Sequence, residues 1–288
     1  RGWHWLIIIL FISWIFFSLG AYYVSHKPLD PTLVQALTTK LTAPSFSFSA
    51  DAVLRGLLDV LAALWIVFVA LGCGLWLWRW VEPETSTQLD ALLFSFGTGF
   101  GIIGLLVLGM GLVGWLQRPF LFTLLILLSL LSIPTAIPFL RHLKWKRPSP
   151  LITIYLVITL SLAFTLALLP PTSWDSLSYH LRGPWLYLQA GRIYPEIDVF
   201  SLNNPFLLEM VFLLGMAIRS DATAQLIHFF FSFLLAGIVY AIAVNGLKLK
   251  HGSTAVLLLF AMPMMLLLAP STYNDLALAF VILATLYA

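Results

Sequence analysis

Trp174-Asp175-Ser176-Leu177-Ser178-Tyr179-His180 is a polar stretch that follows directly on a run of hydrocarbon. An acidic residue beside a membrane surface carries a desolvation cost that a plain anchor would avoid. Asp175 is therefore the first candidate for chemistry. A carboxylate held at such a boundary can take the proton of a hydroxyl as that oxygen attacks an electrophile. A helix over about 175–190 would bring Asp175, Tyr179 and Arg182 together at spacings of four and three. Trp174, Leu177, Leu181, Trp185 and Leu188 would form a separate apolar stripe, as in an amphipathic helix lying in the interface. Pro184 is expected to kink or interrupt that helix. Each residue also has a plainer reading. Asp175 could cap the helix, and Tyr179 could be an interface anchor. His180 could be a hydrogen-bonded interfacial residue, and Asp275 could cap a later span. Glu209, alone in a short apolar segment, is expected to pair or snorkel locally.

The elements that must position these residues are membrane spans. The chain of 288 residues is 61% hydrophobic and 9% charged. Runs of ~17–25 apolar residues, enough to cross ~30 Å of hydrocarbon, recur throughout. Such segments must satisfy their own backbone hydrogen bonds, so they are helices. The predicted fold class is all-α: a polytopic transmembrane helical bundle with an amphipathic interfacial helix in a long exoplasmic loop. Spans are predicted near 3–24, 56–80, 91–116, 119–140, 151–169, 223–246, 254–270 and 275–288. Residues 1–150 form an N-terminal region of about four helices, and 151–288 form a core. Starting at Arg1 and stopping at Ala288 within an apolar run, the chain is expected to be a piece truncated at its C-terminus.

The basic loop Arg141-His142-Leu143-Lys144-Trp145-Lys146-Arg147 sets the orientation, since such loops stay in the cytoplasm. Asp175 then emerges on the exoplasmic side, as does the loop over about 25–50. Gln117-Arg118 also falls outside, a mild violation of the same rule. Residues 205–219 are too short to cross comfortably, covering only ~20 Å at ~1.5 Å per residue. If this segment lies in the interface or dips in and returns, Lys248, Lys250 and His251 fall inside and Asp275 emerges beside Asp175. The charge rule favours that choice. The net charge of +3 serves topology rather than nucleic-acid binding.

Three pieces in order resemble the GT-C superfamily of membrane glycosyltransferases, in the branch of protein O-mannosyltransferases and lipid A aminoarabinose transferases. They are Trp174-Asp175-x-x-x-Tyr179-His180, then Gly191-Arg192-Ile193 with Asn204-Pro205 opening a short apolar helix, and finally Tyr273-Asn274-Asp275. The likeness covers residues 151–288 and makes that half the catalytic core. It implies an enzyme of the cell envelope, in a bacterial plasma membrane, with its active site on the exoplasmic face. The donor would be a polyprenyl-phosphate sugar and the acceptor a hydroxyl, with inversion at the anomeric carbon. Asp175 would be the general base. Tyr179, His180, Arg182, Arg192, Asn204 and Asp275 would bind substrate, the two arginines as forks for the lipid phosphate. Where aminoarabinose-transferase-like members carry an acid and a lysine, this chain has Asn203 and Asn204. With no dense His/Cys/Asp/Glu cluster in their place, no bound metal or other cofactor is expected. Expected partners are donor, acceptor and membrane lipids.

Other patterns read as packing. Gly99-Phe100-Gly101-Ile102-Ile103-Gly104 fits G-x-G-x-x-G but lies in a span with no strand before it. Gly97, Gly101 and Gly104 are instead expected to admit close helix packing. Asp59 is expected to meet a neighbouring helix, with Arg55 one turn earlier as a partner. Met262-Pro263-Met264-Met265 reads as a kinked helix rather than a copper site. Two other functions compete with the enzyme. A non-catalytic subunit could keep the scaffold. A transporter or flippase would place charges at midplane, whereas here the polar residues gather at one surface.

Overall fold

A helix that is apolar on every side must sit in hydrocarbon or in a protein core, and most helices of this chain are of that kind. A computed structural model describes residues 2–26, 32, 35, 38–39, 49–81, 86–143, 149–195 and 200–288. The regular structure among them is helical, with no strand. Contacts divide the chain into two units, Arg1–Ala50 and Asp51–Ala288. The first holds α1 (Gly2–His26), with Trp5, Ile9, Phe11, Phe16 and Leu19 all exposed.

The second unit comprises α2 (Ala50–Val81), α3 (Gln88–Leu112), α4 (Arg118–His142), α5 (Pro150–Ala167) and α6 (Arg182–Ala190). These are followed by α7 (Leu207–Ile218), α8 (Asp221–Ala241), α9 (Gly252–Ala261), α10 (Pro263–Leu268) and α11 (Asp275–Tyr287). Among the described residues, five helices are long and apolar enough to cross a membrane: α2, α3, α4, α5 and the stretch Asp221–Gly246 that contains α8. The expected span at 254–270 is broken at Met262, whose extended backbone precedes Pro263 at the start of α10. Proline supplies no N–H to continue the ladder, so the break falls where the sequence placed a kink.

Side-chain bonds define the two ends of this bundle. At one end the Tyr287 hydroxyl donates to Asp90 (2.9 Å) and accepts from Asn245 (3.0 Å), while Gln88 donates to the carbonyl of His142 (3.2 Å). Asp90 also closes a capping box with Thr87, which fixes the first turn of α3. At the other end, Gln225 donates to the carbonyls of Ala167 (3.0 Å) and Leu169 (2.6 Å). The exit of α5 and the entry of α8 therefore lie together. Chain between them leaves and re-enters at one end.

Within the bundle, α7 folds back against α8 and does not extend to the other end. Gly215 faces Thr223, Ala224 and Ile227, and Phe212 faces His228, so α7 and α8 run antiparallel. Glu209 through Ala217 are all buried. Such burial explains why a segment too short to span is still almost wholly apolar.

Small residues bring the long helices together. A Cβ at Gly99 would collide with the backbone of Ala70, and one at Gly74 with that of Ser95. At Gly104 it would come within 2.6 Å of the Leu207 carbonyl oxygen. The G-x-G-x-x-G stretch is thus a packing face, with one correction: Gly101 meets nothing within 4 Å. Hydroxyls add stitches, Thr135 donating to the carbonyl of Gly72 (3.1 Å) and Ser132 to that of Val69 (3.2 Å). Of the basic loop used for orientation, residues 144–147 lie outside the described residues.

Candidate functional site

The polar stretch after α5 does not form the continuous helix expected over 175–190. Residues Ser176–His180 make one wide turn, closed by Leu181 N–H donating to the Ser176 carbonyl (2.9 Å), and α6 starts afresh at Arg182. Pro184 accounts for this. Its ring would clash with the carbonyl of residue 180 in a regular helix. The wide turn admits one extra residue and puts proline in the first turn of α6, where a missing N–H costs nothing.

That extra residue rotates everything downstream. The Asp175 carboxylate lies near enough to Tyr179 to act on its hydroxyl. Arg182 has no bond to either and is exposed on α6. The apolar stripe is likewise split: Leu181 is buried and Leu188 half-buried, whereas Trp174, Leu177 and Trp185 are exposed.

Tyr179 stands at the centre of what does converge. Burial first, then the Asp175 carboxylate, and then Asp275 and Tyr273, push its hydroxyl above the ordinary tyrosine range. Asp275, at the first turn of α11, and Asp175 thus act on one phenol from two elements 100 residues apart in sequence. Asp175 is half-buried and Asp275 exposed. The hydroxyl therefore stays protonated at neutral pH.

Behind this pair lies a buried polar layer that the sequence did not reveal. His180, 3% exposed, bonds through Nδ1 to Glu209, 1% exposed, at 2.7 Å. The expectation that Glu209 pairs locally is corrected: its partner comes from the loop, 29 residues earlier. Tyr179 and Tyr273 flank the His180 ring at 4.2 and 5.7 Å between centroids. Ser173 bonds Ser176 (2.5 Å), which donates to the carbonyl of Thr272 (3.4 Å) and ties the loop to the α10–α11 turn. Thr272 Oγ1 is buried without a hydrogen-bond partner. So are both ring nitrogens of His228, although the carbonyls of Leu268 and Ser271 lie nearby. His228 follows Asp221 by seven residues, so this layer sits ~10 Å inside the helix ends. Buried polar atoms without partners are costly. Their concentration here marks a place where a ligand's polar groups could be matched. No sequence signal could have found His228, because an isolated histidine in an apolar span usually reads as packing.

The remaining candidates lie apart from this cluster. Gly191, left-handed at φ 69°, ends α6. Its carbonyl accepts from Leu116 N–H (3.0 Å), while Ile193 N–H donates to the Gly111 carbonyl (2.9 Å). Gly191-Arg192-Ile193 therefore pins the loop to the α3–α4 turn, leaving Arg192 exposed. Asn204 is exposed at the entry to α7. Among the described residues, no group of three His, Cys, Asp or Glu side chains is placed to hold a metal ion.

Asp59 meets neighbouring elements as expected, but not through Arg55, which pairs with Asp51 (2.6 Å). Asp59 accepts from Ser220 (2.6 Å) and Thr223 (3.2 Å), with Arg219 Nε at 3.5 Å. Compared with models of protein families, with curated proteins and with solved structures, the chain matches none.

Proposed function

We propose that this chain is an integral-membrane glycosyltransferase of the GT-C kind, acting on a polyprenyl-phosphate sugar at the exoplasmic face of a bacterial plasma membrane. In this reading the polytopic bundle is a scaffold, and the 170–206 loop with α6 lies in the outer interface. One observation carries it: Asp175 and Asp275, far apart in sequence, both lie near enough to Tyr179 for their charges to act on its hydroxyl. A carboxylate beside a hydrocarbon core is expensive, and two gathered near one hydroxyl suit a site that handles a hydroxyl acceptor.

The acceptor hydroxyl gives its proton to Asp175 as its oxygen forms a bond to the anomeric carbon. The bond from that carbon to the phosphate oxygen breaks, and polyprenyl phosphate leaves with the electron pair. A single displacement inverts the anomeric centre. Tyr179 holds the base, and Asp275 orients the acceptor. Arg182 and Arg192, exposed on the same loop, are the cations available to the departing phosphate. A non-catalytic membrane subunit with this scaffold is the alternative.

The test is transfer of a labelled sugar from polyprenyl-phosphate donors by the full-length protein in nanodiscs. Release of polyprenyl phosphate with one product anomer supports the proposal. A protein that binds such donors yet releases none would be the non-catalytic subunit.

A further inference from the structure

A second polar feature lies at the same bundle end, at the opposite end of α7 from Glu209. A cleft of about 310 Å³ opens between the α3–α4 turn, α6 and the α7–α8 turn. Its apolar wall is Leu116, Leu188 and Met216 beside Trp185. Two cations, Arg118 and Arg219, also line it. None of Asp175, Tyr179, His180, Arg182, Arg192, Asn204 or Asp275 does so.

We infer that the Arg118–Arg219 cleft binds the phosphate of an anionic membrane-lipid headgroup. Cations are depleted on the outer side of membrane proteins, so Arg118 was an anomaly in the sequence; a ligand in this cleft explains it. Both guanidiniums border one small volume, and that of Arg118 has no ion-pair partner there. Two carboxylates lie at hand, and neither pairs with Arg118. Asp221 lines the cleft, and Asp59 approaches only Arg219, at 3.5 Å. Among the described residues no carboxylate lies within ion-pair reach of Arg118. Asp59 is itself fixed by the Ser220 and Thr223 hydroxyls, so it anchors Arg219 at the cleft edge. Guanidinium forks suit phosphate oxygens, and the apolar wall suits the glycerol and first methylenes of a lipid. The cleft volume is within the ~300–1,000 Å³ typical of small-ligand sites. Its position at the helix ends places it at headgroup depth. This inference does not rest on the glycosyltransferase reading.

The experiment titrates the full-length protein in neutral detergent with dioctanoyl phosphatidylglycerol, dioctanoyl phosphatidylcholine and inorganic phosphate, read by native mass spectrometry and thermal shift. Phosphatidylglycerol is expected to bind and raise the melting temperature, with phosphatidylcholine at least tenfold weaker. Arg118→Gln, an exposed position without an internal ion pair, should weaken phosphatidylglycerol at least tenfold. Arg55→Gln, whose partner is Asp51, should leave it unchanged. Inorganic phosphate should compete only at far higher concentration, since it lacks the apolar part. Equal phosphatidylglycerol binding by wild type and Arg118→Gln would overturn the inference. So would Arg118-dependent binding of inorganic phosphate as tight as that of the lipid, which would make the site one for free phosphate.

Discussion

A partly buried phenol near two carboxylates resists ionisation. Tyr179 is raised by burial and by Asp175 and Asp275, so the sign is fixed. The stability linked to its protonated form is fully present below the ordinary tyrosine value of ~10 and is lost as pH rises through the higher folded value. Tyr179→Phe should remove one late-titrating tyrosine from the ultraviolet difference spectrum. A phenolate appearing near neutrality would contradict the assigned contacts. The His180–Glu209 pair makes a separate prediction. Truncating either residue to alanine strands a buried polar atom at a cost of about 1–3 kcal/mol. The double variant should lose less than the sum of the two, measured by unfolding in mild detergent; simple additivity would mean that the pair does not interact. Neither partner was legible as such. Their sequence positions say only that each is polar in apolar company, and pairing across 29 residues depends on how α7 folds back.

Among the elements, length and apolarity made the long helices readable, because a run that fills the hydrocarbon thickness has little choice of structure. The fine structure of the loop was not readable to the same degree. Pro184 announced a break, but the wide turn that absorbs it lies upstream, at Ser176–His180, and it moved Arg182 off the Asp175–Tyr179 face. Helix packing offers a sharp comparison. Gly99→Ala should destabilise the bundle, because its Cβ would meet the Ala70 backbone. Gly101→Ala, in open space, should be neutral or stabilise by up to about 1 kcal/mol through helix propensity alone. Equal melting temperatures for the two variants would contradict the packing assigned to α2 and α3.

At the scale of the whole molecule, one bundle end gathers Asp175, Asp275, the buried polar layer and the two-arginine cleft, while the other carries the Asp90–Tyr287–Asn245 cluster. The order of span ends followed from the charge rule, and it also required 205–219 to return without crossing. Because Cys73 is buried, single cysteines can report sidedness cleanly. Arg192→Cys and Lys250→Cys should label from opposite faces of intact vesicles, and labelling of both from one face would contradict the topology. The claim on which the functional reading turns is that Asp175 removes the acceptor's proton. The direct measurement is single-turnover transfer from a bound polyprenyl-phosphate sugar by wild type and Asp175→Asn. The account predicts a fall in rate of about 10²–10⁴-fold with donor binding retained; an unchanged rate would contradict it.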